Sequence, residues 1–190
     1  MKSLSTCLVL LLFVVAPSSG LSAQERTPEW QAAAERAGAV GEHHMLLERF
    51  VGTWTWRMRE WANPGADPIE FGGALEMHPA MAGRFVEGTF TAGGEFEARW
   101  VIGYSNVAAQ YESVWYYTGN TGIETHTGTV DPEDGTLVMS GGTLDPLTGE
   151  VRETRVVTTF VSADEIREVG YARLGGREVK THEMTYTRVQ

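Results

Sequence analysis

The chain has 190 residues, with 25 Asp and Glu against 15 Lys and Arg and a formal net charge of −10. A surface this acidic repels nucleic acid and anionic membranes, which excludes both as expected partners. The single cysteine, Cys7, lies in the first segment, so a disulfide framework and thiolate chemistry are excluded for everything that follows it.

Residues 1–23 read MKSLSTCLVLLLFVVAPSSGLSA. Lys2 gives a positive start, Leu8–Ala16 is unbroken apolar, and small residues end the segment at Ala23. That order predicts a secretory signal peptide. A membrane span needs about 20 apolar residues, which this run lacks. Cys7 precedes the run instead of ending it, so no lipid anchor is expected. The mature protein is expected in the periplasm or outside the cell, with no membrane anchor after cleavage.

Thr27-Pro28-Glu29 predicts a helix start: a capping hydroxyl, a proline in the first turn and an acid near the positive end. Residues 24–41 therefore form an N-terminal helical extension. Glu42–Phe50 (EHHMLLERF) predicts a second helical piece with Met45, Leu46 and Phe50 on one side. From Gly52 onward the hydrophobic period changes to two. Ten strands are predicted: Thr53–Ala62, Ile69–Met77, Arg84–Thr91, Glu95–Tyr104, Gln110–Thr118, Ile123–Val130, Thr136–Gly141, Val151–Val161, Glu165–Arg173 and Arg177–Val189. Turn-forming connectors such as NPGADP, GNTG, DPEDG, DPLTG and LGG separate them. Short connectors imply an antiparallel meander, and a flat sheet of ten strands would expose two long edges. The fold class is all-β: an antiparallel up-and-down β-barrel of about ten strands, one domain over residues 42–190. A two-sheet sandwich is the competing architecture.

The opening strand, GTWTWRMREW, puts Trp54, Trp56 and Met58 on one face and Thr55, Arg57 and Arg59 on the other. Burial of the aromatics sets the first face inward. Trp61, on the opposite parity, belongs to the rim or the surface unless a bulge intervenes. The same alternation gives inner rows Phe96, Ala98, Trp100, Ile102 and Tyr111, Ser113, Trp115, Tyr117.

Gly52-Thr53-Trp54 after a short helix resembles the Gly-x-Trp signature of lipocalin-like barrels, where the Trp closes the floor. More of the chain resembles the DUF1579 family, bacterial proteins of unknown function. The matching segments are His44 to Trp54, Pro64-Gly65-Ala66-Asp67-Pro68, Ala82-Gly83-Arg84-Phe85, Phe96 to Asn106, Trp115, Thr121-Gly122-Ile123, Gly128, Asp145 to Gly149, and Glu183 to Arg188. The resemblance implies a lipocalin-like barrel and no established activity. Ser105 and Tyr117 stand where the family often has Asp, so chemistry that depends on those acids is not expected.

The five histidines, His43, His44, His78, His126 and His182, include no His-x-His or HExxH pattern, and no metal is expected. An inward His182 or His126 could serve as an axial haem ligand, as in the ten-stranded nitrobindins, but Trp56 and Met58 replace two glycines of that opening motif. No other cofactor is expected. Arg84, opening a strand, could meet an anionic ligand head or pin its turn. The expected function is an exported barrel that binds a small apolar or amphipathic ligand, with Trp56, Arg84, Trp100, Trp115, Tyr117 and His182 at the site and no catalytic residue assigned. The alternatives are a structural or interaction barrel filled by its own tryptophans, and an isomerase or hydrolase using an inward acid or histidine. The expected export has a direct readout: N-terminal sequencing of the exported protein should begin within a few residues of Gln24, and retention of Met1 would contradict it.

Overall fold

The computed structural model describes residues 27–190, so the expected leader and its cleavage point lie outside the described residues. Two helices precede ten strands: α1 (Pro28–Gly38), α2 (Glu42–Leu47), β1 (Gly52–Glu60), β2 (Ile69–Ala80), β3 (Phe85–Ala92), β4 (Glu97–Ser105), β5 (Gln110–Tyr117), β6 (Glu124–Val130), β7 (Leu137–Leu144), β8 (Val151–Phe160), β9 (Glu165–Leu174) and β10 (Arg177–Arg188). Each strand pairs antiparallel with its chain neighbours, and β1 also pairs with β10. The result is a closed ten-stranded barrel without a free sheet edge, as the meander implied, and not a sandwich.

Local chemistry explains the helices. Thr27 Oγ1 accepts from the Trp30 amide at 3.2 Å, and Pro28 occupies the first turn of α1. The second helix is shorter than expected, and its buried side differs. His44, Leu47 and Phe50 are buried, whereas Met45 is 61% exposed. The reason is the three-residue turn that follows α2: Arg49 N bonds Leu46 O and Phe50 N bonds Leu47 O, each at 3.1 Å. A three-residue repeat aligns positions 44, 47 and 50, where a 3.6-residue helix would have drifted past. Tyr111 Oη donates to His43 O at 2.9 Å and ties α2 to β5.

The register confirms the inner rows. Trp54 and Trp56 are buried and Arg57 and Arg59 are exposed. The most completely buried side chains, among them Leu47, Trp54, Leu75, Ile102, Leu137 and Ile166, gather beneath α2 at one end of the barrel. This end is the floor. The Trp54 indole donates to Phe50 O at 2.8 Å, and the Arg188 guanidinium lies 4.0 Å from its ring centroid. Arg188 in turn donates to Val51 O at 2.7 Å and Ala163 O at 2.9 Å. Gly52 makes room for it: its φ is +136°, and a Cβ there would sit 2.2 Å from Arg188 Nη1.

The Gly-x-Trp element is thus one half of a plug whose other half is the last residue of β10. Trp54→Ala is expected to cost about 3–5 kcal/mol in denaturant unfolding, as a core truncation of a large aromatic. A loss below about 1 kcal/mol would show that the floor does not depend on it.

Candidate functional site

Above the floor the interior opens into a cavity of about 550 Å³ that reaches the opposite end of the barrel. The protein's own tryptophans therefore do not fill it. The strands divide its wall by chemistry. The inner rows of β1 and β3 to β5 bring Trp56, Phe90, Trp100, Trp115 and Tyr117, joined by Phe96 just before β4. The rings meet mostly edge to face, with Phe90 and Trp115 centroids 4.9 Å apart at 77° and Trp56 and Phe96 at 6.2 Å. Trp100, Trp115 and Tyr117 stay half-buried, presenting their remaining surface to the cavity.

The inner rows of β6 and β8 to β10 form the polar wall. Glu124, His126, Arg152, Thr154, Glu168, His182 and Tyr186 all line the cavity. His182 Nε2 lies 3.3 Å from Glu168 Oε1, and Tyr186 Oη donates to Glu168 Oε2 at 3.3 Å. One carboxylate thus holds an imidazole and a phenol. A bulge in β10 between Lys180 and His182 sets this up. The extra residue, Thr181, accepts at its carbonyl from the Trp61 amide at 2.8 Å, and the strand resumes with His182, Met184 and Tyr186 facing inward. Trp61 sits at the rim, with Arg59 and Lys180 over its ring.

Two glycines accommodate the two histidines. A Cβ at Gly170, the cross-strand partner of His182, would fall 1.9 Å from His182 Cε1. A Cβ at Gly141, the partner of His126, would lie 2.7 Å from His126 Cδ2. Each imidazole therefore lies over bare backbone of the next strand.

Their electrostatics diverge. Burial depresses the pKa of His126, and the nearby charges of Glu124 and Glu168 only partly offset it. Its Nε2 lies 3.0 Å from Thr154 Oγ1. Burial also pulls His182 toward the neutral form. There the hydrogen bond and charge of Glu168, with Glu60 and Glu124, outweigh burial and raise its pKa above the ordinary histidine value. Burial and then the Glu168 charge push Tyr186 well above the ordinary phenol value. Both ring nitrogens of His182 are engaged, Nε2 with Glu168 Oε1 and Nδ1 with Thr181 Oγ1, each at 3.3 Å. That arrangement does not fit an axial haem ligand.

Of the six residues singled out in the sequence, Trp56, Trp100, Trp115, Tyr117 and His182 line this cavity together. Arg84 does not. It lies at the floor end, where its Nε and Nη2 donate to Gly38 O at 3.0 and 2.7 Å and its Nη1 to Met81 O at 3.2 Å. It pins the β2–β3 turn, in which Met81, Ala82 and Gly83 all have positive φ. It also places a cation on the C-terminal carbonyls of α1, where the helix dipole favours one. Asn106 caps the same end of α1 without a charge, donating to Arg36 O, Ala37 O and Ala39 O. The arginine at the cavity is Arg152, paired with Asp145 of the β7–β8 turn. Sequence reasoning missed Arg152 and Glu124, and left open which acids face inward, Glu168 among them. The available signal was parity, since Glu168 shares an inner row with Ile166 and Ala172.

The DUF1579 family model, described as "Protein of unknown function", matches residues 39–188. No curated protein matches the chain. Among solved structures, Rv2717c from M. tuberculosis is similar at 15% identity and a TM-score of 0.56, over 80% of this chain and 100% of that one. The S-type phycobiliprotein lyase CPES from Guillardia theta is similar at 14% identity and a TM-score of 0.53, over 79% and 94%. At these identities the likeness is one of fold, a lipocalin-like barrel.

The polar wall predicts a titration. In histidine NMR spectra one inward ring, His182, should titrate above about 6.5 and the other, His126, below it. Glu168→Gln should lower the His182 value. Because the folded-state pKa of His182 is raised, its contribution to stability is complete below about 6.5 and is lost as pH rises through the folded value. The stability gap between the native chain and Glu168→Gln should narrow over that rise. Two rings with the same midpoint would contradict the assignment.

Proposed function

The chain belongs to the DUF1579 family, and from the geometry of its barrel we propose that it is an exported binding protein for a small amphipathic molecule. The observation that carries this reading is the divided cavity: an aromatic wall on β1 and β3 to β5 faces a polar wall on β6 and β8 to β10. Its volume of about 550 Å³ falls within the range of small-molecule sites, roughly 300–1,000 Å³. The ligand's apolar body lies against Trp100, Trp115 and Tyr117, whose remaining exposure faces the cavity. Its polar groups face the side of Glu124, Thr154 and His182. The export part of the reading is supported by the leader-like residues 1–23.

A second reading, an isomerase or hydrolase, draws on two histidines of opposite pKa shift in one cavity, a pattern that separates an acid from a base. Binding is preferred because each histidine is already engaged, His126 with Thr154 and His182 with Glu168.

Native mass spectrometry of protein purified from its own host should show a retained mass of a few hundred daltons, a size set by the typical occupancy of such cavities. Turnover of that molecule during incubation would favour the enzyme reading. Tryptophan emission should shift on titration with at least one of fatty acids, sterols, retinoids or haem. Trp115→Ala should weaken that binding about tenfold, or ~1.4 kcal/mol, the scale of one lost stacking face. No retained mass and no emission change with any class would return the protein to the structural-barrel reading.

A further inference from the structure

The cavity's charges can be paired off. Arg152 is held by Asp145, outside the cavity in the β7–β8 turn. Lys180 is held by Glu183 and lies over the Trp61 ring. His182 is held by Glu168. Every cation of the polar wall thus has an acidic partner. Two lining carboxylates have no partner: neither Glu60 nor Glu124 makes a side-chain hydrogen bond or ion pair among the described residues, and of the two Glu60 is exposed at the end of β1 while Glu124 is half-buried. The charge left over inside is negative.

Position makes that charge specific. Glu124 is the cross-strand partner of Trp115, so its carboxylate lies beside the aromatic wall and not across from it. Tyr117 lies on the same inner row, its ring centroid 6.3 Å from that of Trp115. A ring face and an unpaired carboxylate side by side recognise a cation attached to an aromatic body. The ammonium meets the carboxylate, and the ring quadrupole attracts the same charge. The raised pKa of His182 responds to the same field, since Glu60 and Glu124 contribute to it alongside Glu168.

We infer that the cavity selects an aromatic amine, its rings packed against Trp115 and Tyr117 and its protonated nitrogen facing Glu124. The inference rests on the binding reading above and specifies the ligand's charge. It reverses the anionic head that an arginine at the mouth would imply, because Arg152 is occupied by Asp145 and Arg84 belongs to the floor.

The test compares three probes of one shape by calorimetry at neutral pH: 2-(2-naphthyl)ethylamine, 3-(2-naphthyl)propanoate and 2-ethylnaphthalene. The amine should bind at least tenfold more tightly than either of the others. Glu124→Gln should remove that advantage while leaving the affinity for 2-ethylnaphthalene unchanged. Glu124→Asp, which keeps the charge, should preserve the order, and Glu87→Gln on the outer face should change nothing. Unchanged near-ultraviolet circular dichroism of the tryptophans verifies that each variant is folded. Equal affinity for the amine and the hydrocarbon, a preference for the propanoate, or an amine preference that survives Glu124→Gln would each overturn the inference. Binding of none of the three beside a retained native ligand that carries no cationic nitrogen would overturn it and spare the binding reading. Binding of none with no retained ligand would overturn both.

Discussion

Everything in this barrel hangs on one stacked pair. Trp54, near the start of β1, plugs the floor, and Arg188, at the end of β10, covers the indole from outside. The contact joins residues 134 positions apart. It is more than a cation over a ring, worth about 0.5–2 kcal/mol by itself. The same guanidinium satisfies carbonyls of the segments that enter β1 and β9, and the indole satisfies Phe50 O. Removing either partner leaves backbone acceptors unmatched as well as surface uncovered. Gly52 is obligatory within this arrangement, because no Cβ fits where Arg188 passes.

With the floor closed by a few large side chains, the remaining length of the barrel need not be packed. The fully buried residues cluster at the α2 end, and the half-buried aromatics occupy the other. A ten-stranded barrel is wider than the eight-stranded kind whose side chains just fill it. The excess width becomes space only where no plug is built. Stability and ligand binding therefore occupy separate halves of the same strands. Trp54 and Trp56, two residues apart, serve the floor and the cavity wall respectively.

Much of this was legible in the residues. The ten strands could be read because turn chemistry such as DPEDG and DPLTG separates runs of period two, and their ends moved by three residues or fewer. The inner aromatic rows could be read because parity in a strand is rigid. What parity does not supply is height along the barrel. Arg84 was paired with the cavity although its strand begins at the floor, and the carbonyls of α1 claim it there. His182 is legible as an inward candidate, but its pairing with Glu168 is not, because alternation does not say which inner residues meet. Glu124 is obscured because both faces of β6 are polar, so alternation carries no signal there and His126 stands only as one of two inward candidates. Met45 was assigned to the buried side of a helix that in fact tightens into a three-residue turn.

The seam between β1 and β10 is also the barrel's one pairing between strands far apart in the chain. Neighbouring strands from β2 to β9 can zip together as hairpins, each closing a short loop at small entropic cost. The β1–β10 ladder, from Trp54 opposite Arg188 to Glu60 opposite His182, closes a loop spanning most of the chain. That closure is the costliest pairing of the fold in loop entropy, and without it the sheet has two long bare edges and an unplugged floor. The last turn of β10 supplies the seam, the cover over Trp54 and the tether to the β8–β9 turn at once. The strand that closes the barrel is thus also its lock, and the chain's last residues complete what its first strand begins.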